Sequence, residues 1–270
     1  MKIVTLVENT TDIDSELNTV HGLSLYIETQ EHKILFDVGP DDTLFVNAEK
    51  LNIDLTEIDT VIISHGHYDH GGALEKFLNI NKKAVVYIQQ CAFDEHLARQ
   101  EGKDDIDISI DVKLQKHDQV RLLNGDEKLD DELMLFTVDT PDKFYSSAND
   151  LLYSKCGDEV KKDDFLHEQN LIISEQCKVL TMGCAHKGVI NIMEYAKKYN
   201  PEVCIGGFHL FNPDKGTTVP KEELDAIAEE LAKLDVQFYT CHCTGIEAYE
   251  YLSERVENLH YMSAGTILII

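Results

Sequence analysis

An apolar run that ends in four metal-competent side chains constrains this chain more than anything else in it. Residues 61–72 read Val-Ile-Ile-Ser-His-Gly-His-Tyr-Asp-His-Gly-Gly. Residues 61–63 read as a buried strand. The strand stops at Ser64, and His65, His67, Asp69 and His70 then crowd into six residues. Gly66, Gly71 and Gly72 leave the backbone free to fold tightly around them. Imidazole and carboxylate suit zinc, iron or manganese. His65 and His67 can reach one ion, and Asp69 and His70 can face a second. Ligand-type residues this dense after a strand seldom make a plain polar loop.

Later candidates repeat the placement. Residues 178–182 deliver Gly183-Cys184-Ala185-His186, residues 203–206 deliver His209, and residues 236–240 deliver Cys241-His242-Cys243. Groups at strand ends of layered α/β folds converge on one edge. The N-terminal part alternates short apolar strands, 3–7, 23–27 and 33–36, with turns, as an antiparallel meander does. Helices are expected at 43–51, 73–78, 189–198, 221–234 and 246–256, with strands at 84–88, 170–174 and 266–270. Residues 91–165 carry no signature. Within them 91–100 reads as helical, and the rest mixes acidic clusters with aromatics.

The pattern His-x-His-x-Asp-His followed by Gly-Gly resembles the metallo-β-lactamase superfamily. Thr5–Asn9, His21–Ser24, Ile34–Gly39, Gly183–His186, Ile205–Leu210 and His242–Gly245 occur in the order of one branch. That branch is named for 7,8-dihydropterin-6-methyl-4-(β-D-ribofuranosyl)aminobenzene 5′-phosphate synthase. The resemblance implies an α/β fold, a four-layer αβ/βα sandwich, and two divalent ions, zinc first, with manganese or iron admitted. It implies ligands at His65, His67, Asp69, His70, His186 and His242. Cys184 stands near the aspartate that bridges two metals in most members. A thiolate there would bind zinc, and a small buried thiol packing under the loop is the alternative. The third ligand of the first site is open among His167, Cys184 and His186, with Glu168 competing with His167. Asp37 would support the metal loop. The implied activity is hydrolysis by a metal-bound hydroxide, with Asp69 holding the nucleophile's metal and taking its proton. His209 would contact substrate or donate a proton. The substrate would be phosphorylated and pterin-like, or another small anionic metabolite. A non-catalytic metal- or ligand-binding module on the same fold is the alternative. Residues 91–165 would supply a partial lid from Phe144, Tyr145, Tyr153 and Phe165. His21, His32, His96, His117 and His260 read as ordinary surface or core residues, with His21 near the site through His21-Gly22.

Length and charge set the remaining expectations. A chain of 270 residues suits one domain spanning 1–270. Its formal charge of −26 disfavours nucleic acid, whose phosphates would be repelled, although RNA-processing nucleases use the same histidine loop. The charge also disfavours anionic membrane surfaces. The first residues turn polar by Glu8, unlike a signal peptide, and no run of eighteen apolar residues occurs. Seven cysteines, an odd number, suit a reducing cytoplasm. The expected partner is a small-molecule substrate; the sequence assigns no oligomeric state.

Overall fold

The computed structural model describes residues 1–100, 102–139, 143–157, 159–213 and 215–270. Among them, two seven-stranded sheets carry the architecture. The first runs Ile267–Ile269, Lys2–Val7, Ser24–Glu28, Lys33–Phe36, Thr60–Ile62, Val85–Gln89, Val120–Leu123. The second runs Leu259–Tyr261, Gln237–Thr240, Val203–Gly206, Lys178–Thr181, Asn170–Ser174, Leu133–Phe136, Glu127–Lys128.

Period-two alternation explains why these strands read as unbroken apolar runs. On Lys33–Phe36, Ile34 and Phe36 enter a core shared with Leu171, Val179 and Ile205 of the other sheet. Leu35, between them, faces a second core with Leu44 and Phe77 of the helices Thr43–Lys50 and Leu74–Ile80. The second sheet is covered in the same way. Helix Lys221–Leu231 follows Pro220 and turns Leu224, Ile227, Ala228 and Leu231 onto it, beside Val189–Ala196 and Ile246–Ser253. The order helix, sheet, sheet, helix is the four-layer αβ/βα sandwich expected.

The strand directions place the candidate ligands. Lys33–Phe36, Thr60–Ile62 and Val85–Gln89 are parallel neighbours in the first sheet. Lys178–Thr181, Val203–Gly206, Gln237–Thr240 and Leu259–Tyr261 are parallel in the second. Parallel strands share a C-terminal edge, so the loops that follow them gather there.

Residues 91–100 depart from the helical expectation. Gln90–Phe93 forms a single 3₁₀ turn, and Glu95–Ala98 is a strand paired antiparallel with Leu152–Cys156. These two strands, with Glu159–Lys162 and Ile106–Asp107, make a separate four-stranded sheet. Pairing with a partner 54 residues away in sequence (Ala98 with Leu152) overrides the local pattern. No described helix is long and apolar enough to cross a membrane.

Candidate metal centre

The backbone at the strand ends is bent into conformations that side chains rarely adopt. Asp37, Ala185, His209 and His242 have φ of 57°, 56°, 51° and 52°. Such strain gathers where structure is held for function. The loops also approach one another closely. A methyl group on Gly183 would lie 2.2 Å from Ser64 Oγ, and one on Gly66 would lie 2.4 Å from the Ala92 carbonyl.

Four imidazoles are held in one way. Ser64 Oγ donates its only proton to Asp37 Oδ2 at 2.7 Å, so it accepts from His65 Nδ1–H at 2.8 Å. Asp37 Oδ2 also accepts from His70 Nδ1–H at 2.7 Å. Asn149 Oδ1 takes the Nδ1 proton of His186, and Asn9 Oδ1 that of His242, each at 2.8 Å. Each anchor fixes the tautomer and leaves Nε2 as a bare acceptor. The bare nitrogens then meet in pairs, His65 with His186 at 3.3 Å and His70 with His242 at 3.2 Å. Two uncapped lone pairs at that distance repel, and in the His70–His242 pair only a proton or a cation on His70 Nε2 relieves it. Two ligands of one tetrahedral ion, with bonds of about 2.0–2.1 Å, stand roughly 3.3–3.4 Å apart. The donor set therefore fits a divalent cation.

The charged residues fit as well. Asp69 Oδ2 lies 3.2 Å from His242 Nε2 and 3.5 Å from His70 Nε2. Burial works against its charge, but His70, His242 and His21 hold Asp69 well below the ordinary carboxylate range. Burial would lower His70, yet Asp69 and Asp37 raise it to about 9, so without a cation a proton sits there. Burial and neighbouring rings keep His65, His67 and His186 neutral, the form that ligates. Cys184 Sγ lies 3.1 Å from His70 Nε2, and it can join metal-holding groups with His65 and His70 or with His186 and His209. That central position is the one expected for a bridging ligand. Burial pushes the Cys184 thiol up, so a thiolate there needs a cation beside it. Cys243, outside the ligand set that the resemblance implies, stands with Cys184 and His242 within ligand reach.

The candidate ligands fall into two groups. His65, His67 and His186 form one, and Asp69, His70 and His242 the other, with Cys184 between. Of His167, Cys184 and His186, His186 is the one that groups with His65 and His67. His167 lies behind His67 instead. Its Nδ1 accepts the Gly66 amide at 2.9 Å, and burial keeps the ring neutral, so its proton is on Nε2 and points to Asp163 Oδ2 at 3.3 Å. Asp163 also accepts from His96 Nδ1 at 3.0 Å. His67, His96, Asp163 and His167 could be taken for a further ion site. The proton count argues otherwise: His167 would have to become an imidazolate to ligate. The cluster instead braces the loop between His65 and His67. Glu168 is not a competitor either. Its oxygens accept the amides of His186 at 2.6 Å and Lys187 at 2.9 Å, and burial raises it to about 7.

His96 is a core residue, buried against Asp163. His21 reaches Asp69 at 3.4 Å and tilts over His242, so it does belong to the site. Asn9 lay within a motif segment, whereas nothing in the sequence distinguished Asn149.

A cavity of about 340 Å³ opens on this cluster. His209 lines it with both ring nitrogens buried and without a hydrogen-bond partner among the described residues, 4.1 Å ring to ring from His186. The expected aromatic lid is not what covers it. Phe165 is fully buried and stacks on His186 at 4.4 Å, and Tyr153 packs under Arg99. Phe144 packs against the core beneath the second sheet, and Tyr145 lies beside Phe165. The cavity wall from this region is aliphatic, with Ile106, Ile108, Leu151 and Leu152.

Comparison with known proteins agrees with this geometry. Residues 17–133 match the model of the metallo-beta-lactamase superfamily. An uncharacterized protein of Methanocaldococcus jannaschii is 28% identical, covering 92% of this chain and 93% of its own. A second protein of that organism, 7,8-dihydropterin-6-methyl-4-(beta-D-ribofuranosyl)-aminobenzene-5′-phosphate synthase, is also 28% identical, over 99% and 96%. Among solved structures, a metal-dependent hydrolase of the beta-lactamase superfamily superposes with a TM-score of 0.81. It is 25% identical, and the match covers 100% of this chain and 99% of that one.

Proposed function

We propose that this chain, which carries a metallo-β-lactamase superfamily domain, is a metal-dependent hydrolase of small molecules. The observation that carries the reading is the set of four imidazoles anchored at Nδ1 whose Nε2 atoms meet in pairs beside an ionised Asp69. Divalent ions held by His65, His67 and His186, and by Asp69, His70 and His242 with Cys184, would supply Lewis acidity and a water acidified toward ~7. Zinc suits the nitrogen and sulfur donors best, and manganese or iron would suit the carboxylate-bearing group.

The chain's own residues do the rest. Asp69 Oδ2 stays ionised among His21, His70 and His242, placed to receive the proton of an attacking water. His209, unpartnered at the cavity wall, is placed to bind the substrate or to return a proton to the leaving group. Asp37, Asn9 and Asn149 keep three imidazoles in one tautomer while the proton moves. Working partners are small molecules rather than nucleic acid, whose phosphates a charge of −26 repels.

The test is metal removal and reloading. Protein stripped with a chelator should lose turnover on a panel of nitrophenyl esters, phosphodiesters and lactones, and regain it with zinc, manganese or iron. Metal uptake with no turnover on any probe would give the site to a binding module. A second reading draws on the likeness to the M. jannaschii synthase across 99% of this chain. Turnover that needs a second organic substrate instead of water would favour it.

A further inference from the structure

The cavity beyond the candidate ligands says what kind of molecule it takes. Its wall is built by Ile106, Ile108, Leu151, Leu152 and Phe211, with Tyr68 at the loop that carries the ligands. No lysine or arginine stands among the described residues that line it; the basic side chains there are histidines, all at the cluster. Two of the wall residues, Tyr68 and Ile106, are 44% and 43% exposed, so an apolar rim faces solvent at the mouth. Large apolar side chains left half-open around a concave site mark a place where something apolar covers them. Lys215, two residues past Pro213, meets the wall through its backbone amide, which donates to Asn212 Oδ1 at 3.0 Å. Arg99 pairs with Asp105 and lies over Tyr153, and Lys162 reaches the Asp150 carbonyl.

From this wall we infer that the non-reacting part of the substrate is a compact, uncharged apolar group, aryl or branched alkyl. Any phosphate or carboxylate it carries must then lie at the ligand cluster itself. The inference rests on the reading of this cavity as a hydrolase's substrate site. A cavity near 340 Å³ is at the small end of ligand sites, which suits a single ring or a short branched chain. An anionic group carried away from the cluster would be stripped of water against isoleucine and leucine, with no lysine or arginine in the described wall to meet it. The strongly acidic protein around it would add to that cost.

Matched probes test this. Nitrophenyl phenylacetate and nitrophenyl succinate share a scissile bond and differ in whether the remote group is a ring or a carboxylate. On metal-loaded protein, kcat/KM should favour the ring by about 10-fold or more. Ile106→Lys, at an exposed position where folding is least at risk, should shrink that ratio at least several-fold, and Ile108→Lys should do the same. A preference for the succinate ester in the unmutated protein, with turnover still metal-dependent, would overturn the inference and leave the hydrolase reading standing. If neither ester turns over, calorimetry on metal-loaded protein with phenylacetamide and succinamate decides the inference separately. Tighter binding of phenylacetamide, weakened by Ile106→Lys, supports it, and tighter binding of succinamate that Ile106→Lys strengthens overturns it.

Discussion

The loop at residues 64–72 and the stretch 91–165 meet at the same site and are built on opposite plans. In the loop, chemistry is written in residue type: His65, His67, Asp69 and His70 all turn into the cluster. In the stretch, the working residues are scattered and mostly ordinary. Asn149 comes from a 3₁₀ turn, His96 from one strand, Asp163 from the segment after another, and Ile106 from a two-residue strand. The loop offers the donor atoms; the stretch fixes the tautomer of His186, backs through Asp163 the His167 that braces Gly66, and builds most of the wall. Ligands are few and chemically restricted, whereas a support needs only one acceptor at the right place, which many residues can give.

Removing ligands from the loop should therefore do the most damage. His65→Ala with His67→Ala is expected to empty the first group, lowering metal content by one equivalent in elemental analysis. Unchanged metal content would break the comparison at its root. Asp69→Asn keeps the shape and removes the charge. Turnover should fall by ~10² or more on any metal-dependent substrate, the scale of lost general-base help. Near-normal rates would move the proton's destination elsewhere, His209 being next in line.

Next come the supports from the stretch. Asn149→Ala frees Nδ1 of His186, and metal affinity of the first group should weaken by ~10- to 100-fold, as for other residues that orient ligands. Asp163→Asn, one bond further back through His167, should weaken it less. A titration showing Asp163→Asn as harmful as the double histidine variant would mean that the buried cluster itself holds an ion. The smallest change sharpens the boundary between the two plans. Cys184→Ser should lower affinity moderately, and the cobalt form of the unmutated protein should show a thiolate-to-metal absorption that the variant loses. Serine controls at Cys241 and Cys243 assign it. Absorption that persists in Cys184→Ser and disappears in Cys243→Ser would pass the role to Cys243.

The same contrast explains what could be read from the sequence. Strands buried on both faces give continuous apolar runs, so the two sheets and the ends of Thr60–Ile62 and Lys178–Thr181 were legible. The candidate ligands were legible because histidine, aspartate and cysteine just past a strand are chemically marked. His167 stood open as a ligand because histidine is chemically marked, while its orientation is set by one amide, that of Gly66. Glu95–Ala98 was hidden because its strand character comes from Leu152–Cys156, far along the chain. Asn9 and Asn149 act through a single oxygen each, and no local pattern announces that.

The donors of each pair arrive from different sheets: His65 and His70 leave the first, His186 and His242 the second. The paired nitrogens lie 121 and 172 residues apart along the chain. An ion shared by such a pair is a removable rivet through the two halves of the sandwich. It closes a long loop in the folded chain, and the unfolded chain has no ready-made site to compete for it. Free metal at 100 times its dissociation constant would add about 2.7 kcal/mol to the stability of the whole fold. The heat resistance of this protein would then gauge the metal supply around it, and metal starvation would expose it to unfolding.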